Sequence, residues 1–517
     1  MDLRKVLIAN RGEIAVRIIR ACRDMDLPTV AVYSECDRTA RHVRMADEAI
    51  AIGPNPATES YLRIDAILAA ARATGSDAVH PGYGFLAENV DFAAACREQH
   101  LTFIGPSPEA ITLMGSKTAA RRTAIAAGVP VVPGTEESLA ADAPHEQIAQ
   151  VAESIGYPIM LKAVAGGGGK GMRLVEKAGD LAGAVRAARS EAGAAFGDSA
   201  IYLERRLMRP RHIEVQILAD HHGHVLPFVE RECSVQRRHQ KVIEETPSPA
   251  VTSSVRARLA ASAAAVARSA GYTNAGTIEF LLDEGGAFYF LEMNTRIQVE
   301  HPITEAVTGV DLVQWQIRIA RGEPLTLTPA ALLAPLGHAI ECRIYAEDPD
   351  AGFLPSPGTI TALRTPAGPG IRDDGWVESG TAVTTFYDSL LSKLIAWGGD
   401  RAEAIARMRR ALQEYEVIGV QTTVPFFYWM LQHPAFLDGR VHTSFLDELL
   451  QQRPGGFTDE GNLSLAEVAA VAACVARMQS DAEEHGPRSP APNAAENGPS
   501  SWAESWKRQG RLEGLRG

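Results

Sequence analysis

Over the first hundred residues, short apolar runs alternate with helical spacing. Val6-Leu-Ile-Ala9 is a buried-strand run, Asn10-Arg-Gly12 a turn, residues 13–25 helical, and Thr29-Val-Ala-Val-Tyr33 the next strand. A helix over 64–73 and strands at Ala78-Val79 and Leu101-Thr-Phe-Ile104 continue the series. Such alternation predicts a doubly wound α/β domain on a parallel sheet. Met114-Gly-Ser-Lys117 is expected to open a helix, with a domain boundary just before it. Strands then dominate. Pro158-Ile-Met-Leu-Lys162-Ala-Val-Ala and Arg173-Leu-Val flank a glycine run, and the strand over 201–207 ends in a turn. Arg211-His-Ile-Glu-Val-Gln-Ile-Leu has two faces, and a third strand covers 225–230. A mainly β unit with helices begins near Ile340 and closes near 450, with a helix over 401–414. Residues 463–479 are Ala- and Val-rich and helical in pattern, and 484–500 read as disordered. The expected division is 1–113, 114–334 with a lid subdomain at about 132–203, 335–450, and a helix plus disordered tail over 451–517.

One polar stretch stands out. In Glu292-Met-Asn294-Thr-Arg296-Ile-Gln298-Val-Glu300 every even position carries a polar or charged head, which predicts a strand with one chemical face, or a solvated edge strand, the commoner fate of such a pattern. The segment before it, Thr277 onward, reads as a hairpin turning at Gly285-Gly286. With those two glycines as the loop, Glu279 faces Glu292. Opposed like charges repel, and a divalent cation converts that cost into a ligand set. Glu279, Glu292 and Asn294 are therefore the expected metal ligands, and Arg296, Gln298 and Glu300 extend the face toward a small anionic substrate.

Composition narrows the function classes. The chain has 517 residues and a formal charge of −12, which gives no electrostatic reason to expect nucleic acid or an anionic membrane surface. Its six cysteines are scattered without a Cys-x-x-Cys pair, as in a reducing cytoplasm. No apolar run approaches a membrane span or a signal peptide.

Gly166-Gly-Gly-Gly169-Lys-Gly171-Met172 lacks the Walker ending; it is a flexible linker or a mobile phosphate lid, and its place between two strands favours the lid. Asn10-Arg-Gly12 is a lone glycine turn, so no NAD is expected. His80-Pro-Gly-Tyr83-Gly lies at the ligand-binding edge of the first sheet, or is merely a rigid turn. Gln236-Arg-Arg-His239-Gln-Lys241 reads as a set of anion ligands, or as a solvated basic patch. Arg343 is an anion binder or a surface ion-pair residue.

Taken together, Ile8-Ala-Asn-Arg-Gly-Glu-Ile-Ala, His80-Pro-Gly-Tyr-Gly-Phe-Leu-Ala-Glu-Asn, Lys162 with the glycine loop, Arg231-Glu-Cys-Ser-Val-Gln-Arg-Arg-His-Gln-Lys and Glu292-Met-Asn-Thr-Arg-Ile-Gln-Val-Glu-His resemble biotin carboxylase, the ATP-grasp subunit of biotin-dependent carboxylases. The resemblance covers roughly residues 1–450. It implies that Lys117, Lys162, the lid Gly166, Gly167, Gly168 and Gly169, Met172, the hinge from Glu204 to Leu207, His212, Gln236 and His239 hold ATP. Glu279 and Glu292, with Asn294 nearby, would hold Mg²⁺ (or Mn²⁺), and Arg296, Gln298, the Val299 backbone and Lys241 bicarbonate. Glu300 would deprotonate bicarbonate to give carboxyphosphate, Arg343 would stabilise the biotin enolate, and Tyr83 would lie near biotin. Ile344-Tyr345-Ala and the segment after Gly419 are closer to acyl-CoA carboxylase α chains. No Met is followed by Lys, so biotin is expected on a separate carrier and the carboxyltransferase on another polypeptide, with residues 501–517 (Trp502, Trp506) either a docking peptide or a ragged tail. The resemblance also implies a homodimer. The rival readings are a pyruvate carboxylase component, another ATP-grasp carboxylate–amine ligase, and a non-catalytic scaffold protein.

Overall fold

The computed structural model describes residues 3–135, 138–139, 143–163, 172–196, 199–453 and 455–457, with 473–474 and 477. The glycine lid with Gly166, Gly167, Gly168 and Gly169, nearly all of the helix expected over 463–479, and the tail with Trp502 and Trp506 lie outside the described residues. The chain divides into two units, Met1–Phe457 and Thr458–Gly517, and the site lies within the first.

The first sheet is parallel. Its strands β1 (Val6–Ile8), β2 (Thr29–Ser34), β3 (Glu48–Gly53), β4 (Ala78–His80) and β5 (Thr102–Phe103) lie in the order β3-β2-β1-β4-β5. Strand β3 was not anticipated. It is half-exposed at the sheet edge, so it lacks the apolar run that marks β1 and β2. The helix Gly12–Asp24 buries Ile14, Ile18, Ile19 and Cys22 in a core shared with Leu218, Phe228 and Trp315. The ends of β1 and β4 are tied together by Asn10, whose Nδ2 donates to the carbonyls of Pro81 and Tyr83 at 2.7 Å each. Gly82 has φ +63°, and a Cβ there would lie 2.9 Å from Asn10 Nδ2. Only glycine lets the chain pass and present Tyr83.

Met114 and Gly115 end the helix Pro108–Gly115, and the new helix is Lys117–Ala126, capped by Ser116. The expected opening at Met114 is thus corrected: the serine hydroxyl, not the preceding apolar residue, supplies the missing acceptor. A small antiparallel sheet follows, with β6 (Ile159–Ala163) between β7 (Met172–Val175) and β8 (Ile201–Arg205).

The large sheet is antiparallel and has eight strands: β9 (Arg211–Ala219), β10 (Val225–Arg237), β11 (Gln240–Thr246), β12 (Asn274–Leu282), β13 (Phe288–Asn294), β14 (His338–Tyr345), β15 (Ile371–Gly375) and β16 (Leu390–Gly398). The order is β13-β12-β9-β10-β11-β14-β16-β15, one sheet on both sides of residue 334. Three sequence expectations are corrected here. The strand expected over 225–230 runs on to Arg237, and residues 232–241 form its hairpin with β11. Its polar face is buried against other polar faces, and a buried polar face has the same pattern as a surface one.

The second correction concerns the hairpin of β12 and β13. Its loop has three residues, Glu284, Gly285 and Gly286: Asp283 N donates to Ala287 O at 2.8 Å, and Gly286 has φ +79°. Leu282 therefore faces Phe288, one position away from the two-residue count. A bulge then places Leu291 opposite nothing, and Glu279 faces Glu292 after all. The two one-residue offsets cancel. Third, the strand expected over 292–300 ends at Asn294. The N–H and hydroxyl of Thr295 turn instead to Glu88 Oε1, at 2.9 and 3.1 Å, and the chain bends into the helix His301–Thr308.

Candidate functional site

A cavity of about 570 Å³ is lined by residues of the small sheet and the large one. Lys117, Lys162, Met172, Glu204, Leu207, His212, Gln236 and His239 line one part. Lys241, Glu279, Glu292, Asn294, Arg296, Gln298, Val299 and Arg343 line the other. Among the described residues of the expected set, only Tyr83 and Glu300 are missing from this lining. Tyr83 lines a second cavity, of about 690 Å³, with Arg11, Phe85, Trp376 and Tyr387. The two cavities share Gln240, Arg296, Val299 and Arg343 as a common wall.

The segment 292–300 brings its heads together by bending, not by strand alternation. Asn294 Nδ2 donates to Glu279 Oε1 at 2.9 Å, and Gln298 Nε2 reaches the same oxygen at 3.3 Å. Arg296 spans the rest: its Nη2 donates to Asn294 Oδ1 at 3.2 Å, its Nη1 to Gln298 Oε1 at 3.0 Å, and its Nε to Glu88 Oε2 at 2.8 Å. A guanidinium held on three sides is preorganised to meet a planar anion.

Beneath that layer lies a buried ion network. Lys241 Nζ meets Glu214 at 2.5 Å, Glu300 at 2.7 Å and Glu279 at 2.9 Å. Glu300, 0% exposed, gives its other oxygen to Arg343 Nη2 at 2.9 Å. Arg343 also holds Glu244, with Nε to Oε1 at 2.7 Å. Arg231, fully buried, binds Glu214, Gln216 (3.0 Å), Thr304 (2.9 Å) and Thr277 (3.1 Å). Each charge thus has a partner, without which a buried ion costs several kcal/mol, roughly.

These contacts set the protonation states. Burial pushes the Lys241 ammonium down, but Glu214, Glu279 and Glu300 outweigh it and keep it protonated well above the usual lysine value. Burial pushes Glu300 up, and Lys241, Arg343 and Arg231 together hold it well below the usual carboxylate range. Glu279 is likewise held low, burial being outweighed by Lys241 and His212. Its opposite number Glu292 is pushed up, first by burial and then by the Glu279 charge. Burial lowers Lys117, and Glu292 opposes that shift.

The donor chemistry fits a divalent cation at the Glu279–Glu292 pair. The two carboxyls are directly opposed across β12 and β13, and both line the cavity. Hard oxygen donors with an open side toward a cavity are what Mg²⁺ takes. His212, Glu214 and Glu279 also bring ligand atoms within 4.8 Å of one another. Glu214, however, is saturated by Arg231 and Lys241, so that cluster is an ion-pair network. His212 meets Gln236 Nε2 through Nδ1 at 2.8 Å, and its buried Nε2 lies 3.0 Å from Glu279 without a hydrogen bond among the described residues.

The nucleotide-sized part of the cavity has its own anchor. Glu204 holds Lys162 Nζ at 2.6 Å and Arg121 Nη1 at 3.0 Å, pinning the expected Lys at the end of β6. His239 sits at the β10–β11 turn with φ +67°, beside Arg238 at +50°. Of the six-residue run 236–241, Gln236, His239, Gln240 and Lys241 line the cavity, whereas Arg237 turns away to Glu347 at 2.8 Å.

Sequence reasoning missed Glu88, Glu214, Arg231, Glu244 and Lys393. Lys393 is 0% exposed, donates to Val299 O at 2.9 Å and lies 3.2 Å from Glu13, which also bonds the Tyr83 hydroxyl. One signal was available: Lys393 is a lone lysine in the apolar strand Leu390–Gly398.

Comparison with known proteins covers the same ground. Residues 2–111 match the family described as biotin carboxylase, N-terminal domain; 116–328 match the ATP-binding domain of the carbamoyl-phosphate synthase L chain; and 341–448 match the biotin carboxylase C-terminal domain. A biotin carboxylase of Nostoc sp. is 53% identical over 449 residues, 87% of this chain and 100% of that protein. A pyruvate carboxylase subunit of Methanothermobacter thermautotrophicus is 52% identical over 444 residues, 86% of this chain and 89% of that protein. The crystal structure of a biotin carboxylase–β,γ-ATP complex from Campylobacter jejuni superposes with a TM-score of 0.83 at 45% identity, covering 86% of this chain and 99% of that one.

Proposed function

This chain belongs to the biotin carboxylase family of ATP-dependent ligases, and we propose that its first cavity takes MgATP and bicarbonate while the second admits the ureido ring of biotin from a separate carrier protein. The observation that carries this assignment is Glu300. It is a buried carboxylate with Lys241 on one oxygen and Arg343 on the other, beside the wall common to both cavities. With both cations on it Glu300 is a weak base. Bound anions that draw Lys241 and Arg343 toward themselves raise its basicity where a bicarbonate proton must leave.

Lys117, Lys162, His212, Gln236 and His239 would hold the nucleotide, with Met172, Glu204 and Leu207 beside it. Glu279, Glu292 and Asn294 would hold Mg²⁺, or Mn²⁺ in its place, which when bound neutralises phosphate charge. Arg296, Gln298, the Val299 backbone and Lys241 would hold bicarbonate against the γ-phosphate, so that attack gives carboxyphosphate. Arg343 faces both cavities and stabilises the negative charge that develops when the carboxyl group is accepted. Tyr83, linked through Glu13 and Lys393 to the Val299 carbonyl, positions the acceptor side of the same wall.

The division into 1–113, 114–334 with its lid at about 132–203, and 335–450 is part of this reading, as are a homodimer, a cytoplasmic location and a partner carboxyltransferase. For the final acceptor we propose an acyl-CoA, on the Ile344-Tyr345-Ala stretch. Pyruvate is the alternative that the Methanothermobacter relative supports.

Phosphate release from MgATP by the purified chain tests the reading. It should require bicarbonate, and rise with biotin or a biotinylated carrier. Glu300→Gln and Arg343→Ala should each lose about 10²–10³-fold in kcat/KM, the scale of a removed charge-stabilising group. Release indifferent to both bicarbonate and biotin sinks the assignment and directs the search to amine substrates.

A further inference from the structure

Behind Arg343 the large sheet holds a second pair of opposed carboxyls. Glu341 on β14 directly faces Glu244 on β11, and Arg343 lies two residues along the same face, opposite Lys393 of β16. Directly opposed side chains sit about 5 Å apart at Cβ, and two charges there repel. Both residues are 0% exposed. Glu244 gives one oxygen to Arg343. Its other oxygen, and both oxygens of Glu341, are buried without a hydrogen-bond partner among the described residues. The cations nearby are already committed: Arg343 to Glu244 and Glu300, Lys393 to the Val299 carbonyl and Glu13. A charge with no partner in such a place neutralises rather than remain.

We propose that Glu341 is held as a neutral carboxylic acid, and that its neutrality leaves Arg343 shared only by Glu244 and Glu300 and turned toward the two cavities. Glu341 is then a positioning residue. A second negative charge beneath the guanidinium would cancel part of the field that Arg343 offers to the reacting group. The charged groups bearing on Glu341 are Lys393 from β16, Glu244 from β11, Arg343 on its own strand and Glu300 from the segment before His301–Thr308. Burial is the largest influence, and it pushes the carboxyl well above its usual range; Glu244 and Glu300 push the same way, against Lys393 and Arg343. An acid raised in the folded state contributes stability that is complete below its ordinary value and lost as pH rises through the folded one.

The proposal rests on the functional reading above only for its effect on activity, and the experiment separates the two. Infrared difference spectra of the full chain at neutral pH should show a carboxylic-acid C=O band that Glu341→Gln removes. Melting temperature should fall more steeply from neutral to alkaline pH in the wild type than in Glu341→Gln. In the phosphate-release assay this variant should keep kcat within about twofold at neutral pH, while the wild-type loss of kcat at alkaline pH is reduced. If the amide does not fold, Glu341→Met, neutral and of similar length, should reproduce the same three results. An unchanged C=O region, or a variant melting curve parallel to the wild type across pH, overturns the protonated Glu341. Neither readout depends on the reaction, so phosphate release without biotin dependence would remove the functional reading alone.

Discussion

Glu279 faces Glu292 across β12 and β13, and Glu244 faces Glu341 across β11 and β14, with β9 and β10 between the two pairs. Local geometry is the same: opposed carboxyls on neighbouring strands of one antiparallel sheet. Their surroundings differ. Glu279 and Glu292 both line the first cavity, so a cation arriving with a substrate can relieve their repulsion. Glu244 and Glu341 are sealed, and only a proton can reach them. An open pair can serve as a ligand set, whereas a closed one can only take up a proton.

The largest expected effect comes from breaking the open pair. Glu279→Gln removes one carboxylate of the proposed metal pair and a charged partner of Lys241. Phosphate release should fall about 10²–10³-fold, and chelation of divalent ions should abolish it in the wild type. A Glu279→Gln enzyme with near-normal turnover would mean that the open pair is as structural as the sealed one. Glu244→Gln leaves Arg343 on Glu300 alone. Turnover should drop about tenfold, with the Mg²⁺ concentration for half-activity unchanged, measured by titrating the ion at fixed ATP. A changed Mg²⁺ requirement would contradict the separation of the two pairs.

The pH dependence of stability sharpens the contrast. Burial pushes Glu244 up to about 7, against the pull of Arg343. Since the folded value lies above the unfolded 4.5, its contribution to stability is complete below 4.5 and is lost as pH rises through about 7. Glu244→Gln should therefore gain on the wild type in melting temperature as pH is raised from acid through neutral. Smallest is the effect of Gly286→Ala. The added Cβ meets nothing within 4 Å, and the cost is that of φ +79° alone, about 1 kcal/mol. That should appear as a melting temperature lower by about a degree with little change in turnover, because the Leu291 bulge still sets the Glu279–Glu292 register.

The open pair was legible in the sequence and the sealed one was not. Glu279 and Glu292 flank a turn with two glycines, so their pairing follows from local counting, and it survived because a longer loop and a bulge cancelled. Glu244 and Glu341 are 97 positions apart in separate segments, and no turn links their strands. Lys241 shows the same limit. Its place in an anion-binding run was readable, but its three carboxylate partners come from β9, from β12 and from the segment before His301–Thr308. Glu214 and Glu230 lie on faces that alternate polar and apolar as a solvated strand does, and burial of the polar face leaves no mark on that pattern.

By itself, the sequence determined the first alternating strands and helices, the parallel character of the first sheet, and most of the groups that line the cavity. Those follow from local periodicity, from turn chemistry and from long motifs read residue by residue. Tertiary structure alone decided that residues 292–300 bend after Asn294, that Arg343 stands in the wall between two cavities, and which opposed carboxyls line a cavity and which are sealed in the sheet. The physical reason is that hydrogen-bond and charge partners across a folded sheet are chosen by the packing of distant strands, and a buried ion network has the same residue types as an exposed one.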